Sequence, residues 1–180
     1  QSIWRLEVMV RVPRLFAAVL WMLSLAVLAA CTPTLNWREV PIGPVHAMLP
    51  CKPDHGTRTV RLMDQDWQMY MTGCEAGGAL YAISYLQLVD PATSSALTQA
   101  WRQSALSRMQ ATPPPDAAGA LTKNANAGVV QARGRKADGS AVQAQLRWFL
   151  VGTQLFHAAV YAPRLSNEMT EPFFADLPQR

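Results

Sequence analysis

Residues 80–88, with the sequence LYAISYLQL, form the stretch that decides the fold of this 180-residue chain. Successive side chains of a strand point to opposite faces, and here both faces are apolar. One face carries Tyr81, Ile83 and Tyr85, and the other carries Leu80, Ala82, Leu86 and Leu88. A strand that is apolar on both faces is covered by protein on both sides. The stretch therefore predicts a sheet that lies between two other layers.

Further strand patterns lie on both sides of this stretch. The other predicted strands are residues 45–49, 58–63, 67–74, 129–135, 141–151 and 155–161. Short turns separate most of them, and Asp138-Gly139 between 129–135 and 141–151 is a strong hairpin signal. Short turns favour antiparallel pairing, because parallel strands need long crossover connections. The pattern predicts an antiparallel β-sheet of about six strands.

Two helices are predicted, one in the middle of the chain and one near its end. The first has an apolar stripe at four-residue spacing, formed by Leu97, Trp101, Ala105 and Met109. It is expected to begin at Pro91 and end by Ala111, and residues 112–126 are expected to form a loop or to contain at most a short helix. The second follows Ser166 as its N-cap and packs on the sheet through Met169, Phe173 and Phe174. Strands interrupted by helices indicate the α+β class, with the sheet flanked by helices.

The first 31 residues have the pattern of a secretory leader. The apolar run 15–31 (LFAAVLWMLSLAVLAAC) follows the basic residues Arg11 and Arg14, as in a signal peptide. Its last four residues, Leu28-Ala29-Ala30-Cys31, resemble the lipobox at which bacterial lipoproteins are cleaved and acylated. This resemblance implies that Cys31 is the first mature residue and carries the lipid anchor. An uncleaved inner-membrane anchor is the alternative, because spans of about 17 residues are known.

This interpretation divides the chain into three parts. They are a lipoprotein signal peptide at 1–30, a tether at 31–39 and one domain at 40–180. The mature protein is expected to be held on the bilayer through acylated Cys31 and to face the periplasm. Thr32 stands where an Asp would suggest retention at the inner membrane, which favours the outer membrane.

The charge of the mature part does not favour a nucleic acid as the partner. The whole chain has a net charge of +4, but thirteen basic and eleven acidic side chains remain from position 31 onward, a net of +2. Lys and Arg are not clustered with aromatic residues, so the sequence gives no indication of nucleic-acid binding.

Two cysteines and two methionines are the candidates for redox or metal chemistry. Cys51 and Cys74 are expected to form a disulfide in an oxidising compartment; a thiolate metal site is the alternative, although their spacing matches no ligand pattern. Met69 and Met71 point the same way on a strand, and thioethers suit Cu(I). With His46 they define an alternative function in copper handling, whereas a flexible core layer is the plainer interpretation.

No motif for catalysis is present in the sequence. A nucleophile elbow, a phosphate-binding loop and a zinc-protease motif are all missing, and no cofactor is expected. His157 lies in a strand rich in core residues, which is typical of a hydrogen-bonded core histidine rather than a catalytic base. The chain is therefore not expected to be an enzyme.

Four short pieces of the chain resemble the bacterial relatives of PsbP, the extrinsic subunit of the plant oxygen-evolving complex. They are Leu49-Pro50, residues 81–85 (YAISY), 149–152 (FLVG) and 173–177 (FFADL). Two features depart from that pattern, because Cys51 stands where such domains often have Gly and Cys74 is extra. The resemblance implies an α/β/α sandwich and a binding or assembly module without chemistry, with an envelope protein as its partner. Fold-level analogy does not by itself assign function.

Overall fold

Eight strands and two helices lie in residues 34–111 and 128–178, which are the residues that this computed structural model describes. The strands are β1 (Arg38–Ile42), β2 (Val45–Leu49), β3 (Asp54–Leu62), β4 (Gln65–Ala76), β5 (Ala79–Gln87), β6 (Val130–Arg135), β7 (Ala141–Val151) and β8 (Gln154–Ala162). The helices are α1 (Ser94–Arg108), which follows a 3₁₀ turn at Pro91–Thr93, and α2 (Asn167–Ala175). The predicted α+β class is confirmed.

Six of the strands form one antiparallel sheet in the order β3-β4-β5-β8-β7-β6. Strands next to each other in sequence pair through tight turns on each side of the sheet. The pairing of β5 with β8 joins the two sides. This arrangement confirms the predicted six-stranded antiparallel sheet, with the 80–88 stretch near its middle.

One face of the sheet is covered by α2 and by a separate hairpin of β1 and β2. Tyr81 on β5 and Phe156 on β8 are fully buried there, together with Phe173 of α2. The predicted disulfide is confirmed: Cys51 after β2 is bonded to Cys74 on β4, with 6.0 Å between their Cα atoms. The bond therefore joins the hairpin layer to the sheet.

The opposite face of the sheet is covered by α1. Leu97, Trp101 and Leu106 of α1 are buried against it, as the apolar stripe predicts for the first two. Helical residues thus lie on both faces, and β5 has buried residues on each of its two faces.

Two local predictions differ from the structure. Residues 38–42 form a strand that the sequence pattern did not reveal, because Val40 and Ile42 become buried only when β1 pairs with β2. The composition of residues 53–56 (PDHG) predicts a turn, but His55 lies in β3, where its Nδ1 atom and the Thr72 hydroxyl are 3.0 Å apart in a hydrogen bond.

The predicted leader with its lipobox at Cys31, and the predicted loop at 112–126, lie outside the described residues. Strand β1 begins at Arg38, inside the segment expected to be a tether. Among the helices in the described part of the chain, none has the length and apolarity needed to cross a membrane.

Candidate functional site

A cavity of about 440 Å³ lies between α1 and the sheet. Small side chains leave this space open on both of its walls. Ala82 and Ala159 stand on the sheet side, and Ser104 and Ala105 stand on the helix side. Larger residues at these positions would fill the gap between the two layers. The cavity is therefore a consequence of side-chain size at a few alternating positions.

The C-terminal end of α1 is held against the sheet by a backbone hydrogen bond. At its start, the helix follows the 3₁₀ turn, where a carboxylate oxygen of Asp90 accepts a hydrogen bond from the Ala92 amide at 2.9 Å. Beyond the last turn, the Met109 carbonyl accepts a hydrogen bond from the Arg135 amide at 2.7 Å. Gly134 permits this approach, because a Cβ atom there would collide with the Met109 carbonyl oxygen.

His157 lies on β8 in the wall of the cavity, with its ring buried between two tryptophans. It stacks on Trp148 with 4.5 Å between ring centroids, and Trp101 is 5.3 Å away. Burial lowers the pKa of His157 to about 3, so its imidazole is neutral at physiological pH. The residue is buried as expected, but its Nε2 atom has no hydrogen-bond partner within the described residues. A buried polar atom without a partner is uncommon in proteins.

The residues that line the cavity have charges of one sign. Arg58, Arg108, Arg135 and Lys136 contribute to the lining, whereas no acidic residue among those described does. Tyr161 also lines the cavity, and burial raises the pKa of its phenol to about 12 against the opposing effect of Arg108. Its hydroxyl therefore keeps its proton at physiological pH and can donate a hydrogen bond.

The structure brings together only some of the predicted metal-binding residues. Met69 and Met71 both line the cavity. His46 belongs to the hairpin on the other face of the sheet, where its Nδ1 atom is 2.9 Å from a carboxylate oxygen of Glu39. Within the described ranges no three His, Cys, Asp or Glu side chains are grouped so that they could hold a metal ion.

The disulfide also removes two of the candidate ligands. Cys51 and Cys74 are bonded to each other, so neither offers a thiolate. The two cysteines therefore form a disulfide in the structure and not a thiolate metal site.

The sequence interpretation missed the cavity because no motif marks it. Its signal is the alternation of small residues, such as Ala82 and Ala159, with large ones on inner strands. This pattern becomes informative only when the register of β5 and β8, which places these two residues opposite each other, is known.

A second missed residue is Arg147, which is 2% exposed although it is charged. Its Nη2 atom donates a hydrogen bond to the Pro178 carbonyl at 2.6 Å, and its Nη1 atom donates to the Phe174 carbonyl at 3.4 Å. Both acceptors lie at the end of α2, so Arg147 fixes that helix to β7. Its role is in the fold, on the face opposite the cavity.

A scan of protein-family models, a search of curated proteins and a search of solved structures each find no match to this chain. The cavity, its polar groups and its charges are therefore the basis for a functional inference.

Proposed function

We propose that this chain is a non-catalytic binding module of the bacterial cell envelope, with its ligand site in the cavity between α1 and the sheet. The observation that carries this proposal is the cavity itself, about 440 Å³ in volume. Sites for small molecules are typically about 300–1,000 Å³, mostly apolar and equipped with a few polar groups. The cavity fits this description, because the methionine and alanine side chains of its walls are interrupted by Ser84, Ser104 and Tyr161.

Within the described residues no catalytic arrangement lines the cavity, which supports a binding role over a catalytic one. His157 is the only histidine among the described lining residues, and its low pKa makes it a weak base. Ser84 and Ser104 also line the cavity, but within the described residues the Nε2 atom of His157 has no hydrogen-bond partner. An activated nucleophile requires a hydrogen bond to its base.

Binding of an uncharged fluorescent probe tests this proposal. N-phenylnaphthylamine fluoresces strongly in apolar surroundings, so we expect its emission to rise with the wild-type protein. Ala105→Phe fills the cavity from the helix side and is expected to abolish this rise. Ala96→Phe makes the same change at an exposed position of α1 and is the matched control. Equal emission from wild type and Ala105→Phe would show that the probe binds elsewhere.

The proposed location is the periplasmic side of the cell envelope, with a lipid anchor on Cys31 and the outer membrane favoured over the inner. The Cys51–Cys74 disulfide supports an oxidising compartment, because such bonds are rare in the cytosol. Metabolic labelling with palmitate tests the anchor. Labelled wild type and unlabelled Cys31→Ala are expected, and equal labelling of both would rule out an anchor at this residue.

The likeness to PsbP-like domains is part of the same proposal. It is supported by the antiparallel sheet with helices on both faces and by the short sequence pieces that carry the resemblance. It implies that an envelope protein binds the domain in addition to any ligand in the cavity.

Copper handling is the second candidate function. One observation favours it: Met69 and Met71 line the same cavity as the unpartnered Nε2 atom of His157. Two thioethers and an imidazole are suitable donors for Cu(I). The copper content of protein loaded under reducing conditions tests the idea, since Met69→Leu/Met71→Leu is expected to lose the metal. Equal copper in this variant and the wild type would eliminate the second candidate.

A further inference from the structure

The cavity extends across the whole width of the sheet. Every strand of the sheet contributes to it, for example through Val60, Met69, Ala82, Ala159, Val142 and Arg135. Six strands span five spacings of about 4.8 Å, which is roughly 24 Å. The length of the cavity across the strands suits one extended alkyl chain.

Positive charge is concentrated where α1 meets β6. The hydrogen bond from the Arg135 amide to the Met109 carbonyl brings the last turn of the helix to the end of this strand. Arg108 and Lys136, which flank the two bonded residues, therefore lie close together at one end of the cavity. Arg135 also lines this end, although its guanidinium donates a hydrogen bond to the Gly139 carbonyl at 2.9 Å.

No carboxylate neutralises this end of the cavity in the described part of the chain. Arg108 and Lys136 are exposed, and neither forms a salt bridge there with an acidic side chain. Asp138 is close enough to Lys136 for their charges to interact, but it does not line the cavity. The basic end is therefore free to bind an anion, and Tyr161 next to it can donate a hydrogen bond.

Building on the proposed function, we propose that the cavity binds a single-chain amphiphile with an anionic headgroup. The alkyl chain lies between α1 and the sheet, and the headgroup lies at Arg108 and Lys136. Charge complementarity sets the orientation, because the walls away from β6 carry apolar side chains such as Val60 and Leu62. Among the described lining residues, Arg58 is the one basic residue on that side. A carboxylate of a free fatty acid and a phosphate of a single-chain lipid share the required chemistry.

Competition between probes that differ only in headgroup tests this proposal. The full chain carrying Cys31→Ala is loaded with N-phenylnaphthylamine, so that no acyl anchor competes for the cavity. Dodecanoate, dodecanol and dodecyltrimethylammonium are then titrated as anionic, uncharged and cationic chains of equal length. We expect dodecanoate to displace the probe at about a tenfold lower concentration than the other two, because hydrogen bonds between ionised groups are the stronger ones.

Two double variants test whether the basic end of the cavity causes the preference for dodecanoate. Within the Arg108→Gln/Lys136→Gln variant, the concentrations of dodecanoate and dodecanol that displace the probe are expected to become nearly equal. Arg133→Gln/Arg164→Gln removes the same charge from exposed positions outside the cavity lining and is expected to behave as wild type. Lysophosphatidylglycerol distinguishes the source of the anion, since displacement by this lipid at a lower concentration than dodecanoate would assign a phosphate headgroup.

The outcomes separate this inference from the proposed function. If the probe binds but the three headgroups compete equally, or the Arg108→Gln/Lys136→Gln variant keeps the preference, the anionic ligand is refuted and the cavity remains a binding site. If neither the probe nor any chain binds, both proposals are wrong. A preference for dodecyltrimethylammonium would also contradict the anionic headgroup.

Discussion

His157 connects the stability of the fold to pH at the scale of a single residue. Burial lowers the pKa of its imidazole from 6.5 to about 3. Between these values the unfolded chain binds a proton that the folded chain does not, so stability falls as the pH drops through this window. The slope from this residue is at most about 1.4 kcal/mol per pH unit.

We therefore predict that His157→Gln has a shallower loss of stability in acid than wild type. Urea unfolding at about pH 7 and about pH 4.5 measures this difference, because a glutamine at this position does not titrate. Equal slopes for His157→Gln and wild type would show that the buried imidazole does not govern acid stability.

Arg147 stabilises the end of α2, although a buried charge is costly. Its guanidinium donates hydrogen bonds to the Phe174 and Pro178 carbonyls, and burial lowers its pKa. We predict that Arg147→Met lowers the free energy of unfolding by about 1.5–3 kcal/mol, because the substitution removes the donor for the Phe174 and Pro178 carbonyl oxygens. Guanidinium chloride unfolding measures the change. Arg133→Met at an exposed site is the control, and equal stability of Arg147→Met and wild type would contradict this role.

At the scale of elements, Gly134 determines how closely the end of α1 approaches β6. We predict that Gly134→Ala lowers the free energy of unfolding by about 1–3 kcal/mol, because its Cβ atom collides with the Met109 carbonyl oxygen. Gly56→Ala on β3 is the matched control, since a Cβ atom there makes an ordinary 3.6 Å contact with the end of the Met71 side chain. Urea unfolding of both variants measures the difference, and similar values would show that the helix end adjusts without cost.

The disulfide connects the β1–β2 hairpin to the sheet across 23 residues of sequence. In the chain-entropy model, closing a loop of this length stabilises a fold by about 3 kcal/mol. We predict that Cys51→Ala/Cys74→Ala loses approximately this amount, which thermal unfolding with and without reductant measures. The reductant provides the control, because it should destabilise the wild type and leave the stability of the double variant unchanged. Wild-type stability of the double variant would contradict a stabilising role.

The elements were largely predictable from the sequence, because their signals are local. Alternation at Tyr81 and Ile83 revealed a buried strand, and Asp138-Gly139 marked a hairpin. Strand β1 and the burial of Arg147 were missed because both depend on partners distant in sequence, β2 and the end of α2 respectively. The cavity was missed for the same reason, since it depends on the distance between α1 and the sheet.

At the scale of the whole molecule, the two faces of the sheet have different roles. One face holds the disulfide, the hairpin and α2, and its fully buried aromatic side chains leave it close-packed. The other face holds α1 over small side chains, which leave the cavity open. One side of the domain thus supplies stability while the other offers a site for a ligand.

Native mass spectrometry of the full chain purified from the cells that produce it tests the binding role most directly. We predict that the wild type and Ala96→Phe carry an additional small organic mass, and that Ala105→Phe does not. The bare protein mass for all three would contradict a ligand-binding cavity. A copper ion in place of the organic mass would contradict it as well and would favour the second candidate function.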